Sequence, residues 1–189
     1  MASGMQLTSN NMPAEPPLTL LMTYAPSSSS RSSMALMSRA LSLASSGSHV
    51  LYIASSASDL EKVPGVVALA QSQQNFSANH DVLERIHVKY CPQQGDLQKI
   101  AAALHMMNTQ QPIRHILVDN LHACVLGRAP AGSNNSNMQR DVALFKAVAL
   151  LRDAASHMRA SLIATHCTQN EGTAAGPIEN GFSKRVVIA

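Results

Sequence analysis

Two short stretches carry residue types and spacings with a chemistry of their own. The first, Ala25-Pro26-Ser27-Ser28-Ser29-Ser30-Arg31-Ser32, follows an apolar run and precedes a helical pattern. A GxxxxGK[ST] loop in that slot wraps its backbone amides around phosphates, puts its lysine on the outer phosphates and sets a hydroxyl on magnesium. Here the spacing is kept, but Ala25 and Ser30 stand where the glycines belong and Arg31 replaces the lysine. A side chain in the left-handed backbone of such a turn costs roughly 1 to 2 kcal/mol. Tight nucleotide binding is therefore not expected, although Arg31 at a helix N-terminus suits an anion. A solvated serine linker is the plainer alternative. The second stretch, His115-Ile116-Leu117-Val118-Asp119, is a mostly apolar strand ending in an acid that could orient magnesium through water. Its alternative is an Asp that caps the following turn. Ala25, Ser30, Arg31, Ser32 and Asp119 are thus the candidate residues of a degenerate site for ATP and magnesium, with no catalytic residue and no metal-ligand set identified.

The elements that must position these residues follow from hydrophobic periodicity. Leu18–Met22 reads as a first buried strand, and Met34, Met37, Leu41 and Ala44 recur at helical spacing until Gly47 supplies a stop. His49–Ala54 is a second strand, followed by a weaker helical stretch from about Leu60 to Gln71 and a Gln- and Asn-rich loop from Gln71 to Asn79. Ile86–Tyr90 alternates and ends at Cys91-Pro92, where proline cannot continue a ladder. Leu97, Ile100, Ala101, Leu104 and Met107 mark a helix capped by Asp96. Ile113–Leu121 is the most hydrophobic strand, with Asp119 near its carboxyl end, and Gly127–Asn137 is a polar loop. Leu144, Val148, Leu151, Ala155 and Met158 then define a long amphipathic helix from Met138 to Met158. Ser161–Thr165 is another buried strand, Thr168–Gly181 a second polar loop, and a last strand begins at Arg185. Strands that are apolar throughout and alternate with helices imply an α/β fold with a mostly parallel sheet covered on both faces. Functional loops then lie at the carboxyl ends of the strands.

Composition narrows the function classes. The chain has 189 residues, one domain at roughly 100 to 200 residues per domain. Hydrophobic residues are 46% but fall in short blocks, none near the roughly 20 needed to span a bilayer, so a soluble protein without a membrane partner is expected. The net charge of +3 permits a nucleic-acid partner without requiring one, and with aromatics at 3% and no Trp recognition by stacked bases is disfavoured. Contact with a polynucleotide would go through phosphates. Cys91, Cys124 and Cys167 are too widely and oddly spaced for a disulfide framework or a zinc clamp, which fits a reducing compartment. Met1–Pro17 lacks the regions of a signal peptide and reads as a disordered leader before a domain over residues 18–189.

The order of these pieces resembles the RecA recombinase core, a P-loop NTPase fold. Val50-Leu51-Tyr52-Ile53 is similar to the strand that in active members runs on into an Asp, a Thr and the catalytic Glu, positions that read Ala54-Ser55-Ser56 here. At the end of Leu162–Thr165, active members carry a phosphate-sensing Gln, and Cys167 stands there. Within that superfamily, Leu83 through Pro92, Ile116 through Leu121, Leu150 through Ala155 and Leu162 through Gln169 resemble a particular group. It is the recombinase-paralogue-like ATPase that partners a SWIM-type zinc-finger protein in the metazoan Shu complex. The resemblance covers about Leu18 to Gly172. It implies a nuclear factor of homologous-recombination DNA repair that binds single-stranded DNA and promotes or stabilises recombinase filaments. The partners it implies are the SWIM-type protein, a RecA-type recombinase or its paralogues, and DNA. Better-kept members retain the glycine-lysine phosphate loop, and this chain is expected to stop short of the fold's last strands.

In RecA folds the loops after the magnesium strand and after the sensor strand face the DNA, which nominates Arg128, Arg140, Lys184 and Arg185 as the DNA-binding cations. Two solvated loops are the alternative. Two other functions stay open: a weak DNA-stimulated ATPase using Arg31, Ser32 and Asp119, and a RecA-like structural subunit of the Elongator accessory ring, which acts on tRNA. No GxSxG elbow or GxGxxG turn is present, and His115, His122 and Cys124 have no matching fourth zinc ligand. Phe76 and Phe145 do not begin a Phe-x-x-Ala docking element, because Asn79 and Val148 occupy its last position.

Overall fold

The computed structural model describes residues 18–23, 29–61, 76–104, 106, 112–127, 137–167 and 184–187. Its elements in chain order are β1 (Leu18–Thr23), α1 (Ser29–Ser45), β2 (His49–Ala54), α2 (Ala57–Glu61), α3 (Phe76–Glu84) and β3 (Ile86–Tyr90). They continue as α4 (Asp96–Leu104), β4 (Ile113–Val118), α5 (Leu121–Leu126), α6 (Asn137–Met158), β5 (Ser161–Cys167) and β6 (Lys184–Val187). The strands form one sheet in the order β3-β2-β4-β5-β1-β6, and every pairing in it is parallel. The α/β architecture with a parallel sheet is as expected and is consistent with a RecA-like or Rossmann-type core; β5 lies between β1 and the Asp-bearing β4. Residues 24–28, which hold Ala25 and most of the serine turn, lie outside the described residues.

Strand alternation divides the core in two. Leu51 and Ile53 of β2, Ile116 and Val118 of β4, and Leu162 and Ala164 of β5 face α4, α5 and α6 in one buried cluster. Val50, Tyr52 and Ala54 of β2 and Leu117 of β4 face α1 and α2 in the other. Helices therefore cover both faces, which is why the strands are apolar at successive positions instead of alternating with polar residues.

Four local readings change. The strand expected over Ile113–Leu121 ends at Val118, because left-handed Asn120 breaks it and caps the helix α5, Leu121–Leu126. The buried stripe of α1 is Leu36, Met37, Ala40, Leu43 and Ala44, while Met34 is exposed. The periodicity of methionines had rotated that face by part of a turn, because small Ala40 and Ala44 carry the close approach to the sheet. α2 begins earlier than expected, where Ser56 accepts from the Asp59 backbone N–H at 3.3 Å and donates to its carboxylate at 2.7 Å, a reciprocal cap; residues 62–75 lie outside the described residues. Phe76–Asn79, read as loop, is the first half of α3. Its weak formers Ser77, Asn79 and His80 are held helical by packing of the element on α1 and β3, since tertiary contact outweighs propensity in a short helix.

Turn chemistry closes the remaining elements. The Asp96 carboxylate reaches back to the Gln93 N–H at 2.9 Å and receives Lys99 at 3.1 Å. α5 ends at Gly127, whose φ of 63° is left-handed and where an added Cβ would lie 2.7 Å from the Gln94 backbone nitrogen. No other residue fits that contact between α5 and the turn before α4. α6 runs from Asn137, and its buried face includes Leu144, Val148, Leu151 and Ala155 as the spacing requires.

Candidate functional site

The carboxyl ends of β2, β4 and β5 converge on Asp119, the first residue past β4. Its N–H donates to the Ile53 carbonyl at 2.8 Å, which continues the parallel ladder by one residue and fixes the side chain against the α1 face. There the carboxylate meets three hydroxyls: Ser33 of α1 donates to Oδ1 at 2.9 Å, Thr165 of β5 donates to Oδ1 at 3.0 Å, and Tyr52 of β2 donates to Oδ2 at 3.1 Å. Asp119 is 7% exposed, Thr165 1% and Tyr52 not at all. Burial pushes the Asp119 carboxyl above its ordinary range, against the pull of the Ser33, Thr165 and Tyr52 hydrogen bonds, with Asp59 adding a smaller upward push. The Tyr52 hydroxyl is raised in turn, first by burial and then by the Asp119 charge, and so remains a donor.

The next residue ties the cluster to the helix layer. Asn120 adopts a left-handed backbone at φ 52° and accepts from the Ala123 N–H to cap α5, while its own N–H donates to Thr165 Oγ1 at 2.7 Å. Thr165 thus receives from Asn120 and gives to Asp119. Cys124 of α5 donates to the Asp119 carbonyl at 3.2 Å and hydrogen-bonds Cys91, a contact that together with burial pushes the Cys124 thiol up. Both thiols are fully buried and unbridged.

Beside this cluster His166, 5% exposed, is held neutral by burial, its value lowered to about 4. Its Nδ1 is buried with no hydrogen-bond partner among the described residues. The His122 ring lies 6.3 Å from it, centroid to centroid. His122 is exposed by area, yet the packing around its ring and then the Arg140 charge hold it below its ordinary value.

The sequence candidates divide sharply. Asp119 stands at the centre of the cluster, but its hydroxyl from α1 comes from Ser33, one residue beyond the expected Ser32, which is buried in the same helix. Ser30 and Arg31 lie in the first turn of α1, and Ala25 is outside the described residues. Ser56, at the position of the missing base, caps α2 instead. Arg140 is in the first turn of α6 near His122; Arg128 lies outside the described residues. Lys184 and Arg185 pair with Thr19 and Leu20 of β1, which are level with Leu117 and Val118 of β4 through β5; they stand within one or two residues of the level of Asp119 along the strands, but three strands away on the edge strand β6. His115 hydrogen-bonds Ser161 at 2.6 Å at the amino ends of β4 and β5, far from His122 and Cys124, so these three do not gather. Among the described residues, the one group with metal-type ligands is exposed His80, Asp81 and Glu84 on α3, where His80 and Glu84 form an ordinary i, i+4 pair at 3.3 Å.

Sequence reasoning did not single out Ser33, Tyr52, Thr165 or His166 as a group. Tyr52 and Thr165 were readable only as polar atoms within apolar strands, a signal that gains meaning once β2, β4 and β5 are known to be neighbours. No protein-family model matches the chain, and no curated protein matches it. No helix among the described residues is long and apolar enough to cross a membrane.

Proposed function

We propose that the protein is a RecA-like subunit of homologous-recombination DNA repair, acting in the nucleus by assembly and not by hydrolysis. In this reading it joins a SWIM-type zinc-finger protein, binds single-stranded DNA and supports recombinase filaments. The observation that carries it is the state of Asp119. In a strand order of the RecA type, the acid that would orient magnesium is buried and engaged by Ser33, Tyr52 and Thr165, while the chain has no carboxylate at Ala54-Ser55-Ser56 to activate water. A carboxyl raised by burial and filled by internal donors is a poor magnesium holder. What is left is a scaffold whose surfaces do the work.

DNA contact in this reading uses Arg128 and Arg140, which flank the segment leading into α6, together with Lys184 and Arg185 at the start of β6. Affinity purification of the tagged full chain from nuclei with mass spectrometry tests the partner assignment. Recovery of a SWIM-type protein with recombinase is expected; recovery of Elongator subunits would transfer the chain to the tRNA-modifying assembly. ATP turnover should not exceed background, and a turnover abolished by Asp119→Ala would make it an ATPase.

A further inference from the structure

α6 is apolar on two opposite sides. One side, Leu144, Ala147, Val148, Leu151, Ala154 and Ala155, is buried in the core. The other carries Met138, Val142, Phe145 and Ala149, at spacings of four, three and four, and these are exposed: Met138 76%, Val142 44% and Phe145 56%, with Ala149 exposed beside them. At about 100° per residue these four side chains form one narrow line along the helix, facing away from the sheet. Four-three-four spacing is the seam of a two-helix coiled coil, in which each side chain enters a hole on a facing helix. Their combined exposed area is of the order of a few hundred Å², the size at which an apolar patch marks an interaction surface.

Symmetry and size select the occupant. We propose that a second copy of this chain packs its α6 antiparallel on this seam, with Met138 against Ala149 of the partner subunit and Val142 against Phe145 of the partner subunit. In that register each layer joins a larger side chain to a smaller one, and the two helices lie with their dipoles opposed. Arg152, the next residue of the four-three pattern, lies beyond the start of the facing helix and outside the seam. Lys146, beside the seam, faces Gln139 of the partner subunit. A parallel pair would instead stack Met138 on its own copy and bring two Arg152 guanidinium groups together in the seam. Two such patches and their flanks give on the order of 1,000 Å² of buried surface, the lower bound for a specific interface, so the association is weak and concentration-dependent. This inference stands independently of the recombination reading.

The test uses the full chain. Sedimentation velocity across a wide concentration range should show a reversible monomer–dimer equilibrium, and Phe145→Glu, at an exposed position, should remain monomeric at every concentration with unchanged circular dichroism. Orientation is read by disulfide trapping under mild oxidation with Met138→Cys and Ala149→Cys proteins. The antiparallel register predicts cross-linked dimer in the mixture and none in either variant alone, because like positions are separated by about 16 Å along the axis. Cross-linking of each variant with itself would establish a parallel pair and overturn the proposal. A chain that stays monomeric at several hundred micromolar, or a dimer untouched by Phe145→Glu, would do the same.

Discussion

Removing the Asp119 carboxylate and merely neutralising it should have different consequences. Asp119→Ala strips the acceptor from Tyr52, which has no solvent access, and from Thr165, 1% exposed. Each buried donor left unsatisfied costs about 1 to 3 kcal/mol, whereas half-buried Ser33 can turn to water. Against this stands the relief of no longer desolvating an anion. The net loss at pH 7 should be about 2 to 3 kcal/mol. Asp119→Asn keeps an oxygen for Ser33 and Thr165 and turns its N–H toward Tyr52, so only the Tyr52 O–H loses its acceptor, and it should cost about 1 to 2 kcal/mol less than Asp119→Ala. The pH dependence sharpens the comparison. Because the folded carboxyl is raised above its unfolded value, its stabilising contribution is complete below about pH 3.9 and is lost as pH rises through the folded value. Wild type should therefore gain on Asp119→Asn as pH falls from 7 toward about 3.9, measured by urea denaturation at each pH. If Asp119→Asn is as damaging as Asp119→Ala, or if wild type loses ground on acidification relative to it, the hydroxyl cluster does not work as argued.

His166 carries the opposite dependence. With a folded value of about 4 against 6.5 for a free imidazole, its contribution is present above pH 6.5 and lost as pH falls through about 4. His166→Gln should abolish up to about 3 kcal/mol of acid destabilisation, and an unchanged acid limb in denaturation curves would place the imidazole in water. Leu151→Ala removes a fully buried side chain of α6 and should lower stability by roughly 2 to 5 kcal/mol, whereas a loss under about half a kcal/mol in chemical denaturation would mean the site collapses around the gap. For single-stranded DNA, Arg140→Ala should reduce the slope of log affinity against log salt by about 0.7. Lys184→Ala with Arg185→Ala should reduce it by about 1.4, and an unchanged slope in a fluorescence-anisotropy titration would remove that pair from the DNA surface.

Legibility followed the strength of the periodic signal. β2 was readable to the residue, and α6 to within one residue, because His49–Ala54 is bounded by glycine and serine and the Leu144–Leu151 stripe spans several turns. α3 was missed where Gln and Asn composition masked a helix held by its neighbours. Asp119 was legible as the acid closing an apolar strand. Its partners were not, because Ser33, Tyr52 and Thr165 are brought together by a sheet order in which β4 sits between β2 and β5. That order is nonlocal information, and no spacing within one segment encodes it. The exposed seam of α6 was hidden for a different reason: apolar residues on both sides of a helix blur the single-face pattern by which helices are found.

The position of β1 in the sheet bears on the order of folding events. Its neighbours are β5 and β6, and Leu18 pairs with Leu162, so during synthesis β1 cannot be seated until the distant strand β5 has emerged. Only β2, β3 and β4 can pair with one another early. Closing so long a loop before any contact rewards it slows the search, and in the interval an apolar strand with two open edges is available to other chains. Folding yield during synthesis should therefore depend on protection of β1, and a permuted chain that places β1 after β5 should fold faster without altering a single native contact.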